Sequence, residues 1–236
     1  MRLGRSVLYW VWVFALVAVS LVGCQEVVVT VPLVVTTLEP QDFNGGGPPI
    51  EGVKVCETDT DNCAVTDGNG EATIHMPANE EVSYTLEKEG YWPYLVRDVT
   101  DETFRDSNWP MYSDELMADF AEALMIRPPL TGLLSLQALS AGSRGANGTA
   151  GITFDLMNET AVGFYNEEDW TPTLDLTATT SAGLGGFVEV PPGEYQVEFG
   201  GTCIPDLAWP GDAANRIEVP VRAGYFNYST MTCDAL

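Results

Sequence analysis

From Ile50 onward the chain is written largely in period two. Val53 and Val55 alternate with polar neighbours, as do Ala72, Ile74 and Met76, and then Val82, Tyr84 and Leu86. Such alternation predicts short strands with one face on a core. Between the first two runs lies Thr66-Asp67-Gly68-Asn69-Gly70-Glu71, where Asp, Asn and Gly supply the left-handed conformations of a tight turn. Lys88-Glu89-Gly90-Tyr91 precedes a further strand, Tyr94 to Val99. Residues 111–127 break the pattern. Ser113 caps a helix, Asp114 and Glu115 suit its positive end, and Leu116, Met117, Phe120 and Leu124 form one apolar stripe. Pro128-Pro129 ends it.

The segment Leu139 to Gly151 is rich in Gly, Ser and Ala and reads as a loop. After it the same grammar returns. Gly151-Ile152-Thr153-Phe154 echoes Gly52-Val53-Lys54-Val55. Thr180-Ser181-Ala182-Gly183 precedes a strand ending at Val190-Pro191, as Thr66-Asp67-Gly68-Asn69 precedes one ending at Met76-Pro77. In that alignment Ser181 replaces the turn aspartate, and Gly185-Gly186 sits one residue out of register. Tyr195, Val197 and Phe199 repeat the alternation of Val82, Tyr84 and Leu86, while Ile217, Val219 and Val221 make a late strand, followed by another over Tyr225 to Thr230. The chain is therefore expected to be mainly β, with a diverged second copy of one module.

The N-terminus follows another pattern. Arg2 and Arg5 precede an unbroken apolar run from Val7 to Val19, then Ser20-Leu21-Val22-Gly23-Cys24. This is the layout of a secretory signal peptide; a retained membrane helix is the alternative. Leu21-Val22-Gly23-Cys24 resembles the bacterial lipobox, which implies a diacylglycerol thioether on Cys24 after cleavage of residues 1–23. Gln25, rather than Asp, implies by the same resemblance the outer membrane. Two or more acyl chains hold a protein stably to a bilayer. Residues 24–49, ending in Gly45-Gly46-Gly47-Pro48-Pro49, read as a flexible tether in which Val27 to Val35, interrupted by Pro32, could add an edge strand.

Four cysteines remain: Cys56, Cys63, Cys203 and Cys233. Export implies disulfides, and of the three pairings Cys56–Cys63 and Cys203–Cys233 keep each bond within one module. Chain entropy assigns about 2.5 kcal/mol to the shorter loop and about 3.7 kcal/mol to the longer. Removing residues 1–23 takes away two arginines and no acids, leaving 8 basic and 34 acidic residues and a net charge of −26. Such a chain repels nucleic acid and anionic lipid surfaces. The acids are scattered, as a solubilising surface requires.

Gly52-Val53-Lys54-Val55, Val65 to Ala72, the strand ending at Pro77 and Lys88-Glu89-Gly90-Tyr91 together resemble a carboxypeptidase regulatory-like domain over residues 50–100. The resemblance implies transthyretin-like or Ig-like β-sandwiches. The expected layout is a sandwich over 50–110, a connecting helix over 111–130 and a second, diverged sandwich over 131–236. It also implies the accessory domain without a peptidase, because His75 is the one histidine and a metallocarboxypeptidase zinc site needs two. A Ser-His-Asp triad would need His75 as well, and no Gly-x-Ser-x-Gly elbow precedes a serine. No cofactor or metal site is expected beyond incidental calcium at Asp59, Asp61 or Asp67. A carboxylate pair of the glycosidase kind is not excluded by counting, but small modules leave little room for a cleft. The expected role is that of a non-catalytic anchored surface protein for adhesion, surface assembly or ligand presentation. Its expected partners are the bilayer through Cys24 and a protein or glycan, with Trp92, Tyr94, Tyr165 and Trp170 as candidate stacking residues. The alternative to core filling for the stripe Leu116–Leu124 is a docking surface within an envelope complex.

Overall fold

A computed structural model describes residues 29–40, 46–100, 102, 105–126, 132–140, 148–157, 159, 161–205 and 212–234. The signal segment 1–23, Cys24, Pro128-Pro129 and Trp209 lie outside the described residues. The first half contains β1 (Thr30–Leu38), β2 (Lys54–Glu57), β3 (Cys63–Val65), β4 (Glu71–Pro77), β5 (Glu81–Glu87), β6 (Tyr94–Val99), β7 (Arg105–Pro110) and the helix α1 (Asp114–Ala123). The second contains β8 (Gly132–Ser140), β9 (Thr153–Leu156), β10 (Val162–Asn166), β11 (Pro172–Thr173), β12 (Leu184–Val190), β13 (Gly193–Gly200), β14 (Thr202–Pro205), β15 (Arg216–Val221) and β16 (Phe226–Asp234). The fold is mainly β.

Residues 30–38, expected within a flexible tether, form the central strand of the sheet β4-β1-β7. The reason is burial: Val31, Leu33, Val35 and Thr37 alternate inward and are at most 6% exposed, and each such aliphatic side chain contributes about 1.5–3 kcal/mol. β1 pairs antiparallel with β4 and parallel with β7. The first module therefore begins at Thr30, well ahead of Ile50.

The turn around Thr179 in the second half repeats that around Thr66 in the first. In the first, the Thr66 Oγ1 accepts from the Val53 N–H (2.9 Å) and donates to the Ile50 carbonyl (2.7 Å). In the second, the Thr179 Oγ1 accepts from the Ile152 N–H (2.9 Å) and donates to the Thr149 carbonyl (2.6 Å). Gly70 N–H bonds to the Asp67 carbonyl, and Gly183 N–H to the Thr180 carbonyl, both at 2.9 Å. Gly70 and Gly183 have positive φ of 75° and 69°. A Cβ there would lie 2.6 Å and 2.4 Å from the carbonyl oxygens of Thr37 and Ala138. Thr179 thus takes the place of Thr66, and Thr180 that of Asp67. The sequence alignment set Thr180 against Thr66 and was one residue out; shifted by one, the glycines fall into register.

Strand pairings follow the same correspondence. β8 pairs with β12 and β16 as β1 pairs with β4 and β7, while β13 joins β9 and β15 as β5 joins β2 and β6. β10 departs from it, pairing with β12 where its positional counterpart β3 pairs with β2. β8 covers Leu139 and Ser140, which the sequence assigned to a loop.

The two modules are not beads on a string. β16 pairs in parallel with β8 along its length and with β6 at Phe226↔Tyr94, Asn227↔Leu95 and Tyr228↔Val96. One ten-stranded sheet therefore runs β11-β10-β12-β8-β16-β6-β5-β2-β3, with β14 on β16. One three-stranded sheet, β4-β1-β7, packs on its first half and another, β15-β13-β9, on its second. α1 does not merely connect. Ser113 Oγ accepts from the Leu116 N–H, and Met117, Phe120 and Leu124 join the first core beside Phe164 and Val188 of the second module. Phe120 meets Phe164 edge to face at 5.3 Å. The stripe is thus core, with Leu116 only partly buried.

Thr66 and Thr179 are 3% and 5% exposed, so replacing either by valine strands a buried N–H, that of Val53 or of Ile152. Thr66→Val and Thr179→Val are each expected to cost about 2 kcal/mol, read as equal downward shifts of the urea midpoint. A difference of more than about 1 kcal/mol between them would show that the two bonds are not equivalent.

Candidate binding groove at the seam

Where the second module leans over the first, an open groove of about 480 Å³ forms. Strand alternation builds its floor: Val82 and Tyr84 of β5 and Tyr94 and Val96 of β6 face the core, which turns Glu81, Ser83, Leu95 and Arg97 outward. The opposite wall is the free edge of β15, with Glu218, Pro220 and Val221, extended by Pro192 and Glu194. Thr58 and Asp59, from the turn between β2 and β3, close one side.

Arg97 organises the seam. Its guanidinium donates to Asp212 at 2.5 Å and to the Glu218 carbonyl, and the other Asp212 oxygen accepts from the Glu218 N–H at 2.7 Å. The side chains of Arg97 and Asp212 are 7% and 1% exposed. Burial pushes the Arg97 pKa down, opposed by the charge and hydrogen bond of Asp212. Together the two side chains satisfy the N–H and carbonyl that Glu218 turns away from β13, its partner strand. Arg222 reaches Asp59 at 3.7 Å, an exposed pair of little energetic weight. Tyr225 donates to Glu87 across the same seam. Counting Asp212, five carboxylates (Asp59, Glu81, Glu194, Asp212, Glu218) stand against two guanidiniums. The groove is acidic, with aliphatic walls.

The aromatic candidates do not form a common platform. Tyr94 is 1% exposed and stacks on Phe226 at 4.6 Å; burial drives its pKa well up. Tyr165 is 8% exposed, stacks on Phe154 at 5.4 Å and accepts the Phe154 N–H. Both are core residues of different modules, since ring burial outweighs what surface stacking would return. Trp92 is partly buried against the first core, and Trp170 is half-buried in a turn with φ 72°.

Cys56–Cys63 and Cys203–Cys233 are disulfide-bonded, each between residues directly opposite on paired strands. His75 is exposed on β4. Asp67, two strand ends away from Asp59 and Asp61, spends its carboxylate on the N–H groups of Asn69 and Glu71, which lower its pKa. Among the described residues no group of three or more His, Cys, Asp or Glu side chains is placed to hold a metal ion. Sequence reasoning missed the groove because its walls come from β5, β6 and β15, far apart in the chain. The available signal was Arg97, a cation inside the strand Tyr94–Val99 in a chain with few cations.

No family model matches the chain, and no curated protein matches it. Among solved structures it is similar to the TIE protein of Bacillus anthracis (12% identity, TM-score 0.26), covering 87% of this chain but only 34% of that one. The minor pilin of Streptococcus agalactiae aligns over 87% of this chain and 96% of its own at 15% identity and TM-score 0.27. The major pilin subunit of Bacillus cereus aligns over 87% and 100% at 9% identity and TM-score 0.32. At these scores the likeness carries no argument about function.

Arg97→Ala removes the guanidinium from the buried Asp212 and is expected to cost about 3–5 kcal/mol. Chemical denaturation followed by tryptophan fluorescence measures it; a loss under about 1 kcal/mol would mean that the pair does not hold the seam.

Proposed function

We propose that this chain is an exported lipoprotein, anchored by acyl chains on Cys24, whose non-catalytic double sandwich serves adhesion, surface assembly or ligand presentation. The observation that carries the reading is the coincidence of two independent export marks. The N-terminus has the lipobox-like Leu21-Val22-Gly23-Cys24, and all four other cysteines are disulfide-bonded, as an oxidising compartment requires. Among the described residues no helix is long and apolar enough to cross a membrane. Gln25 favours the outer membrane.

The fold shortens the expected tether. Thr30 already belongs to β1, so six peptide steps separate it from the lipidated cysteine, at most about 20 Å of chain. The double sandwich rides close to the headgroups, and its net charge keeps it from lying flat on anionic lipid. A glycan-stacking role for the aromatics is not favoured, since Tyr94 and Tyr165 are inside.

Intact mass and membrane fractionation of the natively expressed protein, beside a Cys24→Ala variant, test the reading. The expected mature species lacks residues 1–23, carries acyl chains, is four hydrogens lighter than the reduced chain and sediments with membranes. The variant is expected to lose both acylation and sedimentation. An unprocessed or unacylated wild-type chain refutes the lipoprotein assignment.

A further inference from the structure

We infer that the seam groove captures a basic side chain, lysine or arginine, presented by an extended segment of another protein. The inference deepens the surface-binding reading and rests on it only for where the partner is met. Two features of the groove converge on this occupant. Its walls are aliphatic at Leu95, Pro192, Pro220 and Val221, while its carboxylates are Glu81, Glu194 and Glu218. That combination matches a side chain with an apolar stem and a cationic head. The volume of about 480 Å³ lies within the range of ligand sites.

The cations already present offset the site's acids only in part, since Arg97 acts electrostatically on Glu81 and Glu218 as well as on Asp212. Arg97 is committed to Asp212 and the Glu218 carbonyl, and Arg222 lies at Asp59. Glu81 and Glu194 enter none of the ion pairs described among these residues. Strand addition is not the mode of capture. Arg97 and Asp212 occupy the carbonyl and N–H of Glu218 on the free edge of β15, and Pro220 has no N–H to offer. Recognition therefore falls to side chains. A second copy of this chain is a poor occupant, because 34 acidic residues against 10 basic ones make copies repel. The partner is a different, basic protein.

The full chain, purified in detergent, is titrated into a fluorescein-labelled peptide Gly-Pro-Val-Arg-Val-Lys-Pro-Gly and followed by anisotropy. Binding is expected to weaken between about 50 mM and 300 mM salt, and to vanish when Arg and Lys of the peptide become Glu. The double variant Glu81→Gln/Glu194→Gln is expected to raise Kd at least about tenfold, and Ser83→Arg, which fills the groove with a cation, to abolish binding. Glu167→Gln/Glu168→Gln, at the far turn before β11, removes the same charge and is expected to leave Kd unchanged. No binding by wild type, equal Kd in the groove variants, or equal weakening by the distant pair overturns the inference. So does competition by free spermidine at the peptide's own concentration, which would make this a site for small cations. The Cys24→Ala chain is expected to bind the peptide as wild type does, so loss of anchoring and loss of capture are read separately.

Discussion

The parallel pairing of β16 with both β6 and β8 is the contact on which the shape of the molecule depends. Without it there would be two similar sandwiches on a linker, free to swing. With it, the sheet that forms one wall of the first sandwich continues as the opposite wall of the second. The relative position of the modules is then set by backbone hydrogen bonds, which tolerate little slip once one face is buried. The rest follows. The continuous sheet exposes the back of β10 and β12, and α1 covers it with Phe120 against Phe164. The edge strand β15 is brought over the outer face of β5 and β6, and the groove is what remains between them.

The Arg97–Asp212 pair lies at this corner for a reason other than raw stability. Two buried charges recover in mutual attraction roughly what their desolvation costs, and a hydrophobic pair would pack there at least as well. What an apolar pair lacks is the ability to bond the N–H and carbonyl of Glu218. An unpaired strand edge invites another strand. Arg97 and Asp212 take up the central position of that edge, and Pro220 blunts it further along. The same two side chains therefore fix the seam and close β15 to backbone partners, leaving the groove to side-chain recognition.

Much of the fold could be read from the sequence where one face is wet and the other dry. β4 and β5 announce themselves through Ala72, Ile74, Met76 and Val82, Tyr84, Leu86, and α1 through its cap and stripe. The Thr66 turn was visible as well, because glycine and aspartate occur there for conformational reasons. β8 was not, since Gly132 to Ala138 is buried on both faces: Leu133 faces one core, Leu134 and Leu136 the other, and two-sided burial erases alternation. β7 was missed for the opposite reason; Arg-Asp-Ser-Asn-Trp-Pro is a polar edge strand held by pairing with β1. β1 was half seen, since Pro32 and the Gly/Pro run after it argued for a linker. After each of β1 and β8 the chain returns to a bridge with the strand just left, Leu38↔Pro49 and Leu139↔Gly148. The pairing of β6 with β16, and with it the groove, left no local trace.

The shared strand also fixes an order of events during synthesis. Tyr94 and its partner Phe226 are roughly 130 residues apart, so the contact that seals the first module is among the last to become available. β1 to β7 emerge early, carry their own core and one disulfide, and can condense while the later strands are still unmade. Until β16 arrives, the outer edge of β6 has no neighbour, and an open edge is where newly made chains of one kind find each other. The first half of this protein must wait, half-sealed, for its second half to finish it.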